Sequence, residues 1–79
     1  MSNAIAVNLR RLRKLRALTQ DQLAQTASIS RVAYRSIETG KAAPRSRTLD
    51  ALAHALKVDV FALVAPAPAP KTLRFRSNT

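Results

Sequence analysis

The side chains with the most to offer chemically are Arg31 and Arg35, four residues apart, with Val32 and Ser36 following each in turn. Four residues is close to one helical turn, so on a helix these four side chains share one side. A guanidinium is a planar fork of donors that can hold O6 and N7 of a guanine together. Val32 offers an apolar contact for a thymine methyl, and the Ser36 hydroxyl can donate or accept. Such a set reads base edges. For Arg31, base contact, phosphate contact and solvent exposure are all open roles; for Arg35, base and phosphate contact are. Catalysis has no comparable set. The chain holds one histidine, four acidic residues and no cysteine. The acids Asp21, Glu38, Asp50 and Asp59 fall on separate elements, and no glycine-rich phosphate loop is present. No nucleophile–base pair or metal-ligand spacing can be assembled from these, so no catalytic residue, metal or cofactor is expected. His54, lacking a ligand partner at readable spacing, is expected at the surface.

The stretch that must position the arginines runs from Thr19 to Gly40, TQDQLAQTASISRVAYRSIETG. It reads as two short helices joined by a tight turn. Thr19 can cap the first, with Gln22 three residues on to complete a capping box. Leu23, Ala24 and Ala27 fall on one face. Asp21 in the first turn suits the helix dipole. Ser30 caps the second helix, expected from Arg31 to Thr39, with Ala33, Tyr34 and Ile37 as its buried face and the Tyr34 hydroxyl at the rim. Gly40, the only glycine of the chain, stands where a left-handed C-cap tolerates no Cβ without strain.

Three further helices are expected around this pair. From about Ala4 to Arg16, Ile5, Leu9, Leu12 and Leu15 form an apolar stripe, with Ser2 or Asn3 as caps. Arg10, Arg11, Arg13, Lys14 and Arg16 fill the remainder, a density of like charge that does not favour the helix itself. Residues 41–47, KAAPRSR, read as a loop. A fourth helix, Thr48 to Leu56, turns Leu49, Leu52, Ala53 and Leu56 inward. Asp59 caps a short fifth helix, Val60 to Val64, in which Phe61 and Val64 complete the core. APAPAP at 65–70 cannot continue a helix and favours an extended spacer of roughly 3 Å per residue. In the final KTLRFRSNT, Leu73 and Phe75 alternate with polar residues at strand period. That segment is either a strand pairing with a second subunit or a partner protein, or a disordered basic tail. The expected fold is all-α: a compact five-helix domain over residues 1–64, a Pro-rich tether over 65–70 and a basic tail over 71–79.

Fourteen Lys and Arg against four Asp and Glu give +10 on 79 residues, more than solubility requires. The balance implies an anionic partner, nucleic acid ahead of a membrane or an acidic protein. The absence of cysteine excludes a disulfide framework and thiolate metal sites. No apolar run reaches the ~18 residues of a membrane span. The opening MSNAIAV has no charged region followed by an apolar one, so a cytoplasmic protein without membrane association is expected.

Leu18-Thr19-Gln20, Leu23-Ala24, Ile29-Ser30-Arg31, Ile37-Glu38, Gly40-Lys41, Pro44 and Thr48-Leu49 through Ala55-Leu56 together resemble the helix-turn-helix domains of the phage repressor and Cro type, the xenobiotic-response-element family. The series runs in order at family spacing over roughly Ile5 to Val64. The resemblance implies a sequence-specific regulator of transcription, most often a repressor. It would bind an inverted repeat in double-stranded DNA as a homodimer, with the second helix of the pair in the major groove. It implies base contacts from Arg31, Val32, Arg35 and Ser36. Phosphate contacts would come from Thr19, Gln20, Ser30 and Thr39 and from Lys41, Arg45 and Arg47 after the recognition helix. It also implies a partly buried ion pair between Arg13 and Glu38. Ser28 and Lys57 stand where the family favours glycine, Tyr34 where it favours a β-branched aliphatic, and Ser46 where an apolar residue is common. Two other readings are compatible with the same residues. One is an antitoxin that binds DNA and engages a toxin through its tail; the other is an architectural protein that binds duplexes without choosing sequence.

Overall fold

The computed structural model describes residues 3–67, which form five α-helices and no strand. They are α1 (Ala4–Leu15), α2 (Gln20–Thr26), α3 (Arg31–Glu38), α4 (Ser46–Leu56) and α5 (Phe61–Val64). The tail at 71–79, with its strand and tail alternatives, lies outside the described residues, as does the spacer beyond Ala67.

The helix starts follow from short polar side chains. Asn3 Oδ1 accepts from Ala6 N (3.0 Å), capping α1. At α2 the full capping box is present: Thr19 Oγ1 accepts from Gln22 N (3.0 Å) and Gln22 Oε1 accepts from Thr19 N (2.8 Å). Ser30 Oγ accepts from Ala33 N (3.0 Å) at the start of α3.

The helix ends follow a single backbone pattern. After each of α1 to α4 one residue takes positive φ: Ala17 (56°), Ser28 (61°), Gly40 (82°) and Lys57 (59°). The residue following it donates back across the last turn, Leu18 N to Arg13 O, Ile29 N to Ala24 O, Lys41 N to Ser36 O and Val58 N to Ala53 O, at 2.8–3.1 Å. These are Schellman closures, which glycine makes most cheaply. Only one of the four is glycine, so three carry the steric cost of a left-handed L-residue. Lys57→Gly is therefore expected to stabilise the fold by about 1 kcal/mol. A thermal melt should register this as a rise of roughly 4–8 °C.

The elements stack with α1 against α3 and α5, α2 against α3 and α4, and α4 against α5. Leu9, Leu23, Tyr34, Leu52, Leu56 and Leu63 are fully buried where they meet. Two polar side chains fix the arrangement. Asn8, itself buried, donates to the Leu63 and Ala65 carbonyls (2.9 and 2.8 Å), tying α1 to the end of α5. Arg16 Nε donates to the Leu56 carbonyl (2.8 Å), closing the C-terminus of α4.

Several expected positions differ. Leu15 is exposed, because two successive three-residue steps from Leu9 carry it about 120° around the helix. Ala33 is exposed too, lying about 90° off the face that α3 buries, and Glu38 takes its place beside Tyr34 and Ile37. Helix α4 begins at Ser46 instead of Thr48, capped at Arg45 without a side-chain bond, so Arg47 sits in its first turn and not in the loop. Helix α5 begins at Phe61 instead of Val60, and Asp59 Oδ1 accepts from Phe61 N at 2.8 Å. Its core residue is Leu63, while Phe61 and Val64 are exposed. A single turn can direct only one side chain squarely into the bundle, and Leu63 occupies that direction.

Candidate nucleic-acid interface

The interface is built on one buried carboxylate. Glu38, at the end of α3, is 4% exposed and receives donors from three helices. Arg13 of α1 donates through Nε to Oε1 (2.9 Å) and through Nη2 to Oε2 (3.3 Å). Gln20 of α2 donates through Nε2 to Oε2 (2.9 Å), and the Tyr34 hydroxyl of α3 itself donates to Oε1. Arg13 Nη1 continues to the Leu18 carbonyl (2.9 Å), and Arg10 Nη1 reaches the Glu38 carbonyl (3.3 Å). The pairing of Arg13 with Glu38 is thus one edge of a hub that sets α3 against both α1 and α2. Tyr34 is fully buried, with its hydroxyl in this hub and not at the rim.

Burial alone would push the Glu38 carboxyl up, but the hydrogen bonds from Arg13, Tyr34 and Gln20 outweigh it and hold the group below the ordinary glutamate value. The same contacts raise Arg13, its hydrogen bond to Glu38 contributing most. Burial, then the hydrogen bond to Glu38, pushes the Tyr34 phenol well above its usual value. All three groups therefore stay in their neutral-pH forms: Glu38 charged, Arg13 charged, Tyr34 protonated.

With Tyr34, Ile37 and Glu38 turned inward, α3 presents Arg31, Val32 and Arg35 to solvent, with Ser36 half-buried beside them. Val32 is 76% exposed, an apolar side chain that the fold leaves unused. Val32, Arg35, Ser36 and Thr39 line a shallow groove with Lys41. The structure thus gathers three of the expected base-reading residues with two of the expected phosphate contacts. Arg31 lies at the start of α3, where it pairs with Asp21 (Nε to Oδ1, 3.3 Å). Arg45 and Arg47 are exposed at the start of α4.

The smaller polar residues are partly committed. Thr19 and Ser30 use their hydroxyl oxygens as caps, leaving each O–H without an acceptor among the described residues. Gln20 gives its amide nitrogen to Glu38 and keeps its carbonyl oxygen unengaged among the described residues. Thr39 turns its hydroxyl back onto the Arg35 and Ser36 carbonyls (2.8 and 3.3 Å), so a phosphate contact would require it to rotate. Two participants are not visible from pattern alone: Tyr34 and Gln20 as Glu38 donors. Only the closeness of Glu38 to Tyr34, one turn apart on one helix, hints at the first.

Among the described residues no group of three His, Cys, Asp or Glu side chains comes together, and His54 is exposed. No described helix is long and apolar enough to cross a membrane. No curated protein matches the chain. A family model described as helix-turn-helix matches residues 9–63, from the middle of α1 to Leu63 of α5. That span takes in the Glu38 hub, the exposed face of α3 and the cations that follow it. The chain belongs to the helix-turn-helix family of the phage repressor and Cro type, a family of DNA-binding regulators of transcription.

Proposed function

We propose that this protein is a repressor that binds an inverted repeat in double-stranded DNA as a homodimer, each subunit laying α3 in a major groove. The observation that carries the reading is the outward side of α3: Arg31, Val32 and Arg35 exposed and Ser36 half-buried, with Val32 uncovered in a groove shared with Arg35. A protein that held DNA only by charge would have no use for an apolar side chain there. Thr19, Gln20, Ser30, Thr39, Lys41, Arg45 and Arg47 supply the backbone contacts in this reading, fixing register without reading sequence. The packed pair of α1 and α5 leaves Leu15 and Phe61 71% and 68% exposed, apolar area that a second subunit would cover. A two-fold dimer places its half-sites about 34 Å apart.

Selection of bound duplexes from a random pool, at 150 mM salt with excess competitor, tests the reading. The expected result is an inverted repeat with half-sites about one helical turn apart. Enrichment of no sequence would instead favour architectural binding. With about 6–10 phosphate contacts per dimer, affinity should fall by roughly 10³–10⁵ between 50 and 200 mM salt. A titration with almost no salt dependence would remove the phosphate contacts from the account.

A further inference from the structure

The recognition helix carries two arginines, and the fold treats them differently. Arg35 forms no ion pair among the described residues, whereas Arg31 is held across the turn by Asp21 in the first turn of α2. Arg31 Nη1 donates to Asp21 Oδ2 (3.4 Å), and Nε lies 3.3 Å from Oδ1. The two side chains are 62% and 58% exposed. A pair this open, and screened by solvent, contributes little to folding. Asp21 would favour the N-terminus of α2 through the helix dipole wherever its carboxylate pointed. Stability does not account for its facing Arg31.

The contact has a direction and a sign. A guanidinium has five N–H donors, and Asp21 accepts a hydrogen bond from Nη1, leaving the two donors of Nη2 without a partner among the described residues. Held in this way, Arg31 loses part of its rotamer freedom before DNA arrives, which lowers the cost of ordering it in a complex. The carboxylate also places a negative charge beside the guanidinium. A phosphate approaching Arg31 is repelled by that like charge, whereas the uncharged edge of a guanine is repelled far less. Specificity gained by penalising the wrong contact is as effective as specificity gained by improving the right one.

We infer that Asp21 is a specificity-determining positioning residue, whose ion pair turns Arg31 from phosphate toward a base edge. It deepens the function proposed above and rests on Arg31 as a base reader. The two are separable in one experiment on the full chain. Asp21→Asn, Arg31→Ala and the double variant are titrated against the selected inverted repeat and against a random duplex of equal length. Asp21→Asn should bind the random duplex several-fold more tightly and the preferred duplex no more tightly, because the lost orientation of Arg31 offsets the relieved charge there, so that the ratio between them falls several-fold. In the Arg31→Ala background the same change should shift both duplexes equally, since only a general charge effect is left. An Asp21→Asn ratio within about twofold of the wild type, with selectivity still lost in Arg31→Ala, overturns the role of Asp21 and leaves base reading by Arg31 standing. Selectivity that survives Arg31→Ala, or is absent from the wild type, overturns both.

Discussion

Arg31→Ala is expected to lower affinity for the preferred duplex by roughly 5- to 150-fold, the equivalent of about 1–3 kcal/mol for a bidentate guanine contact. Affinity for a random duplex should fall only by the few-fold that one lost positive charge entails. Arg31 stands at the first position of α3, exposed, beside Val32 and one turn from Arg35. The fold should be indifferent to its loss, because the only partner of Arg31 among the described residues is the open carboxylate of Asp21. A melting temperature unchanged from the wild type would confirm that the effect is on recognition. Titration of both duplexes at two salt concentrations is the deciding measurement. If both weaken alike and the salt slope drops by about one, Arg31 sits on a phosphate and its base-reading role is wrong.

Glu38→Ala should have the largest effect on stability, about 3–5 kcal/mol, as expected when one partner of a buried ion pair is removed. The substitution strands the Arg13 guanidinium, the Tyr34 hydroxyl and the Gln20 amide together, each of which now donates to that carboxylate. Stabilities of native domains are only about 5–15 kcal/mol, so urea denaturation should find the variant close to unfolding. Unfolding curves little different from the wild type would mean that the hub is not what holds α3 in place. The pH dependence has a fixed sign. Because the folded protein depresses the Glu38 pKa, the stabilisation is complete above the unfolded value of about 4.3. It is lost as pH falls from there through the lower folded value. Glu38→Gln, which cannot titrate, should be less stable than the wild type near neutrality and should lack this part of the acid transition. Tyr34→Phe removes one of the hydrogen bonds that depress Glu38 and should move the transition to higher pH.

Which parts of this protein were legible in the chain depends on how far each physical cause reaches. Helix starts at Asn3, Thr19 and Ser30 are written locally, since a short side chain caps an N–H two or three residues away. The inward leucines follow from helical period, and the exposed set Arg31, Val32, Arg35 and Ser36 follows as the side that Tyr34 and Ile37 leave outward. Helix ends were half hidden. Gly40 announces one left-handed closure and the family resemblance marks those at Ser28 and Lys57, but Ala17 makes the same turn with no such sign, because backbone hydrogen bonds outweigh a modest steric cost. Even periodicity misleads near an element's end: Leu15 and Ala33 fit the apolar pattern in type but fall off the buried arc in angle.

The resemblance to repressor domains implied that Arg13 and Glu38 meet. That Gln20 meets the same carboxylate, that Asn8 ties α1 to α5, and that Asp21 holds Arg31 belong to the tertiary structure alone, while Tyr34, one turn from Glu38 on α3, was only hinted at. The first three contacts join residues from 10 to 57 positions apart. Their geometry is set by how α1, α2, α3 and α5 cross, and that crossing is fixed by the whole core at once. The sequence by itself determined the helices, the basic balance and the residues proposed to meet DNA. The packing of those helices decided which charges turn inward to hold the fold and which stay free to bind.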